Sequence, residues 1–111
     1  MVPKERILIV EDEVLIAEDL REQLASDGYE IIGICRSGEE AIEVAAAEHP
    51  DMALMDIRLS GELDGVETAR NLRKDLDATV IFLSAYADEE IRKQVRETGA
   101  FGFLLKPFRR S

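Results

Sequence analysis

The stretch ILIVEDE at residues 7–13 drives four consecutive apolar side chains into three consecutive carboxylates. An unbroken Ile-Leu-Ile-Val run suits a strand buried on both faces, not the alternation of a strand with one wet face. Like charges at the end of such a strand repel, so Glu11, Asp12 and Glu13 need something to hold them together.

Downstream the chain repeats the same alternation of short apolar runs and amphipathic stretches. Ile16, Leu20 and Leu24 mark one face of a helix over residues 13–27, closed by Gly28. EIIGIC (Glu30–Cys35) is a second strand. Ser37 and Glu40 in SGEE read as a capping box, opening a helix with Ala41, Ile42, Ala45 and Ala46 on one side and stopping before Pro50. MALMD (Met52–Asp56) is a third strand, and Val66, Ala69, Leu72 and Leu76 mark a third helix after the Gly65 region. TVIFLSA (79–85), a helix over 88–98 showing Ile91 and Val95 and closed by Gly99, and GFLLK (102–106) before Pro107 complete the series. Five strands alternating with helices predict an α/β fold, a doubly wound, flavodoxin-like parallel sheet of order 2-1-3-4-5. Its 111 residues fit one domain, with no repeat or low-complexity segment.

Composition narrows the functions. A net charge of −10 argues against direct binding to nucleic acid or to an anionic membrane, and favours cations or basic protein surfaces. No apolar run is long enough to span a bilayer, and MVPKERILIVEDE lacks a signal-peptide core, so the expected location is cytoplasmic. The single Cys35 excludes an internal disulfide and reads as a buried thiol in an apolar stretch. His49, just before Pro50, reads as a loop or helix-end residue.

In a sheet of this order, ligands bind outside the carboxyl ends of the strands, near the switch point between the first and third. The first strand ends in Glu11 and Asp12, the third in Asp56, the fourth in Ser84 and the fifth in Lys106. Glu11, Asp12 and Asp56 are therefore expected to converge. Two carboxylates about 5 Å apart repel by roughly 3 kcal/mol at an effective dielectric near 20, and one lysine does not offset three such pairs. A divalent cation does, and hard oxygen ligands suit Mg²⁺, with Mn²⁺ as a substitute. The bland reading of each acid alone is a solvated loop residue or helix cap, with Asp12 a possible cap and Glu13 a charge favouring the helix N-terminus.

At these residues the chain resembles the receiver domain of two-component response regulators. ILIVEDE, ALMDIRLSGELDG, VIFLSA and GFLLKPF follow one another at suitable spacing over nearly the whole chain. The resemblance implies one receiver domain over residues 1–111, with Asp56 as phosphoacceptor. It implies metal binding by Glu11, Asp12, Asp56 and the backbone carbonyl of Arg58. Ser84 would hydrogen-bond the phosphoryl group, Lys106 would pair with it, and Phe103 would occupy the aromatic switch position. Pro107 follows that lysine, where the family often has a cis bond. The implied function is a signalling module that takes a phosphoryl group from a histidine kinase or phosphotransfer protein and catalyses only its own modification.

Three departures accompany the resemblance. Ser60-Gly61 stands where many receivers have a proline early in the loop after the acceptor. Arg58 and Tyr86 occupy positions that tune phosphoryl lifetime. The chain also stops at Ser111, short of the family's fifth helix, so apolar surface beside the first helix is expected to be open to a partner or to self-association. Other classes fit less well. A Mg²⁺-dependent aspartyl phosphohydrolase wants a second Asp two residues after its nucleophile, where this chain has Arg58. A flavodoxin needs a Ser/Thr/Gly-rich phosphate loop where this chain has EDE. A receiver-like binding module that is never phosphorylated would not need so complete a site.

Overall fold

The structure, a computed structural model, describes residues 5–57, 65–76, 78–84, 89–100 and 102–105. In chain order the elements are β1 (Arg6–Val10), α1 (Val14–Ser26), β2 (Glu30–Cys35), α2 (Gly38–Glu48), β3 (Met52–Asp56), α3 (Gly65–Leu76), β4 (Thr79–Ser84), α4 (Glu89–Thr98) and β5 (Gly102–Leu105). The strands form one parallel sheet of order β2-β1-β3-β4-β5. The predicted architecture and strand order are those observed.

β1 lies inside the sheet, and Ile7, Leu8, Ile9 and Val10 are all buried. Alternate residues serve opposite faces. Leu8 and Val10 join Ala41 and Ala45 of α2, Ala69 and Leu72 of α3 and Val95 of α4. Ile7 and Ile9 join Ala17 and Leu20 of α1, with Leu54 and Leu83 from β3 and β4. Each such aliphatic side chain contributes about 1.5–3 kcal/mol when fully buried, so an uninterrupted apolar run is what a strand between two layers needs. On the α1 side, Ile31, Ile34, Met52 and Ile81 remain half-buried. Residues 106–111, on which the expectation of a missing fifth helix rests, lie outside the described residues, as do the side chains of Val66, Leu76 and Ile91.

Element ends follow local chemistry. Asp27 ends α1, and Gly28 follows with φ +99. The Gly28 N–H donates to Ala25 O and the Tyr29 N–H to Leu24 O, each at 3.1 Å, the two bonds of a Schellman motif that only a residue at ease with positive φ completes cheaply. Ser37 caps α2, its hydroxyl accepting from the Glu40 N–H at 3.2 Å. The reciprocal half of the box is displaced by one residue, because Glu40 Oε1 accepts from the Arg36 N–H at 2.8 Å rather than from Ser37. His49 sits at the helix end in the left-handed region, as its place before Pro50 led one to expect. Ala46, expected on the packed side of α2, is exposed, and half-buried Val44 packs against the core instead. The N-cap of α1 is Glu13, not Asp12, and its side chain makes no capping bond.

Opposite the carboxyl edge, Arg6 ties the sheet to the α2–β3 connection. Its guanidinium bonds Glu48 at 3.1 Å and the His49 carbonyl at 3.2 Å and lies 3.6 Å from Glu30, while its backbone N–H donates to Asp51 Oδ2 at 2.8 Å.

Candidate functional site

The sheet delivers its polar residues to one edge. Val10 pairs with Met55 and Asp56 with Leu83, so β1, β3 and β4 reach their carboxyl ends side by side. The Glu11 N–H continues the ladder to Cys35 O at 2.9 Å, and the Ile57 N–H to Leu83 O at 3.0 Å. Glu11 and Asp56 are therefore carried by regular backbone rather than by free loops. Ser84 closes β4 at the same edge.

Glu11, Asp12 and Asp56 converge as expected, each offering a carboxylate oxygen within 4.8 Å of the other two. Glu11 is 1% exposed, Asp56 7% and Ser84 2%, while Asp12 is half-buried. Glu11 Oε1 accepts from the backbone N–H of Glu13 at 3.1 Å, so one acid of the cluster also fixes the start of α1. Glu13 itself is exposed and stands outside the cluster.

The donor set fits a hard divalent cation. In an octahedral shell with bonds of 2.0–2.1 Å, adjacent oxygens lie about 2.9 Å apart and opposite ones about 4.2 Å, so three carboxylate oxygens within 4.8 Å of one another would draw closer around a bound ion. Three carboxylate ligands fill half of a six-coordinate shell and leave the rest to waters or a phosphoryl oxygen, as Mg²⁺-type ions demand. No soft ligand takes part. Cys35 is buried at the end of β2, where burial first and the nearby Glu40 carboxylate second push its thiol up to about 12. It is protonated at neutral pH and unsuited to metal binding or nucleophilic attack.

Gly65 is the residue the sequence under-weighted. A Cβ there would fall 2.7 Å from the Ile57 carbonyl oxygen and closer still to that of Asp56. The first residue of α3 thus abuts the backbone that carries Asp56, and only glycine permits the approach. The only hint in the sequence is the Asp64-Gly65 pair at the helix start. Of the remaining expected site residues, Arg58 and Lys106 lie outside the described residues, as do Ser60, Gly61, Tyr86 and Pro107. Phe103 is described as part of β5, where it pairs with Phe82, but not in its side chain.

The family model of the response regulator receiver domain matches residues 7–111. The chain belongs to this family. It is 38% identical over 103 residues to the transcriptional regulatory protein PdtaR of Mycobacterium tuberculosis, covering 93% of this chain and 50% of that protein. It is 36% identical over 105 residues to the probable transcriptional regulator ycf27 of Porphyridium aerugineum, covering 95% of this chain and 43% of the relative. The receiver thus spans about half the length, or less, of these curated relatives. Among solved structures it is similar to the signal receiver domain of a modulated diguanylate cyclase from Desulfovibrio desulfuricans, with TM-score 0.89 and 42% identity over 96% of this chain and 85% of that one. A response regulator from Chloroflexus aurantiacus gives TM-score 0.88 at 31% identity, covering 96% and 88%. Phosphoacceptor signalling is the function of such a domain. Among the described residues, no helix of this receiver is long and apolar enough to cross a membrane.

Proposed function

We propose that residues 1–111 form one receiver unit that accepts a phosphoryl group on Asp56 from a histidine kinase or a phosphotransfer protein in a Mg²⁺-dependent reaction. The observation that carries this reading is the convergence of Glu11, Asp12 and Asp56 at the carboxyl ends of adjacent strands. Asp12, Asp56 and the Arg58 carbonyl would hold Mg²⁺, or Mn²⁺ in its place, with Glu11 supporting the set. Such an ion, when bound, neutralises charge on the phosphoryl oxygens.

An oxygen of the Asp56 carboxylate attacks phosphorus in line, and the new O–P bond forms as the P–N bond to the donor imidazole breaks. The electron pair of that bond leaves with the ring nitrogen. The transition state is loose, so positioning and charge neutralisation provide most of the catalysis. Lys106 pairs with the phosphoryl oxygens, and the Ser84 hydroxyl donates a hydrogen bond to one of them. Water later hydrolyses the acyl phosphate, so the chain catalyses only its own phosphorylation and dephosphorylation. The added charge and acceptor oxygens draw Ser84 inward, and Phe103 turns into the space released, which shifts a protein-interaction surface between two packed states. The partners are proteins of the cytoplasm, not nucleic acid or membrane.

Incubation with acetyl phosphate and Mg²⁺, read by intact mass, tests the reading. One added phosphoryl group is expected, absent in Asp56→Ala and absent without a divalent cation. A wild-type chain that takes no label from acetyl phosphate or from any phosphohistidine donor would overturn it.

A further inference from the structure

A groove lies between α2 and β2 and shares no residue with the carboxylate cluster. Among the described residues β2 ends the sheet and is paired by β1 alone, so its other side offers backbone groups to an incoming strand. Glu40, Glu43, Val44, Ala47 and Glu48 recur at the three- and four-residue spacing of one helical stripe, adjacent to the Ala41 and Ala45 stripe that enters the core. Between that stripe and Ile32, Gly33, Ile34 and Cys35 lies a space of about 400 Å³.

Gly33 follows a register shift in the β1–β2 pairing, where Ile7 pairs with Ile31 but Leu8 with Gly33, and it keeps the floor of this groove low. A Cβ there would meet only Leu8 Cδ1 at 3.7 Å and Val44 Cγ1 at 3.9 Å, ordinary contact distances. Glycine is common at such a bulge, and here its missing side chain also leaves the floor of the groove open. Ile31, Ile32 and Ile34 are half-buried, and the run from Ile31 to Cys35 carries no charged residue, with a register shift against β1 at Ile32. The rim is acidic. Glu40 and Glu48 each give an oxygen to a neighbour, the Arg36 N–H and Arg6, and Glu43 faces solvent. Among the described residues, no Lys or Arg lines the groove.

We propose that this groove docks an extended basic and apolar segment of a partner protein. The segment adds to the outer edge of β2, sets small apolar side chains over Gly33 and lays Lys or Arg against Glu40, Glu43 and Glu48. A second copy of this chain is disfavoured as occupant, because a symmetric β2–β2 contact would bring these carboxylates against themselves.

The probe is a short synthetic peptide of alternating Lys and Val, titrated into the ¹⁵N-labelled chain. Shift changes are expected at residues 31–35 and 40–48. Glu43→Lys, a surface change that leaves the fold intact, should weaken binding about tenfold, the effect of losing about 1.4 kcal/mol. Gly33→Val should weaken it at least as much, with its far-UV spectrum unchanged. A peptide of equal charge with Pro at the Val positions cannot form the backbone ladder and should fail to bind. Shift changes spread over the surface or centred on Glu11, Asp12 and Asp56 would overturn the proposal. So would equal binding of the Pro peptide, binding unaffected by Glu43→Lys, or occupation of the groove by a second copy in the absence of peptide.

Discussion

Gly65 opens α3 directly against the backbone carbonyl of Asp56, in a space that admits no Cβ. Helix propensity alone favours Gly→Ala by about 1 kcal/mol. Packing reverses the sign here, because backbone rather than a flexible side chain stands in the way. Gly65→Ala should destabilise the chain by about 1–3 kcal/mol and slow phosphorylation by displacing Asp56. Urea unfolding and acetyl phosphate labelling check this, and a variant as stable as wild type would show that α3 yields freely.

The carboxylate cluster predicts a cation-dependent stability. Without divalent ions, Asp56→Asn should raise stability by about 1–3 kcal/mol by removing like-charge repulsion. Added Mg²⁺ should reverse the ranking, since an ion at 100 times its Kd stabilises the state that binds it by about 2.7 kcal/mol. Melting curves of both proteins with EDTA and with Mg²⁺ read the crossover. Identical Mg²⁺ shifts in the two proteins would place the ion elsewhere. Asp12→Ala should also lose the Mg²⁺ shift.

Cys35 predicts a loss of stability in alkali. Its unfolded thiol ionises near 9.0, whereas the folded one keeps its proton up to about 12. Between these values the unfolded chain binds fewer protons, so stability falls as pH rises, by up to about 1.4 kcal/mol per pH unit. Below pH 9 this contribution is fully retained. Denaturant unfolding at pH 7 and at pH 10.5 should show a larger alkaline loss in wild type than in Cys35→Ala, and equal losses would refute the assignment. The thiol should also react slowly with alkylating reagents while the chain is folded.

Ser37→Ala should cost about 0.5–2 kcal/mol through loss of the bond from the Glu40 N–H, measured by thermal or urea unfolding. Ser37→Gly should recover most of that loss. If the alanine variant is neutral, the exposed end of α2 frays and the cap contributes nothing.

Strand order and the meeting of Glu11, Asp12 and Asp56 were legible because both follow from long-range regularities. Apolar runs mark buried strands, and the sheet order then fixes which strand ends adjoin. Features set by a few tenths of an ångström were not legible. Glu13 rather than Asp12 takes the N-cap because Glu11 folds back to the Glu13 N–H, a tertiary choice among three similar acids. Glu40 reaches Arg36 rather than Ser37, and propensity cannot distinguish the two. The constraint on Gly65 is invisible until α3 is seen against the end of β3.

The pairing of Val10 with Met55 joins strands that are separated in the chain by α1, β2 and α2. Contacts of such high sequence separation form slowly, because the loop between them must close before the pairing is rewarded. Asp56 therefore meets Glu11 and Asp12 only once the centre of the sheet has assembled. A partly folded chain emerging from synthesis carries the same acids but no pocket, so it is silent to a phosphodonor until its tertiary structure is complete.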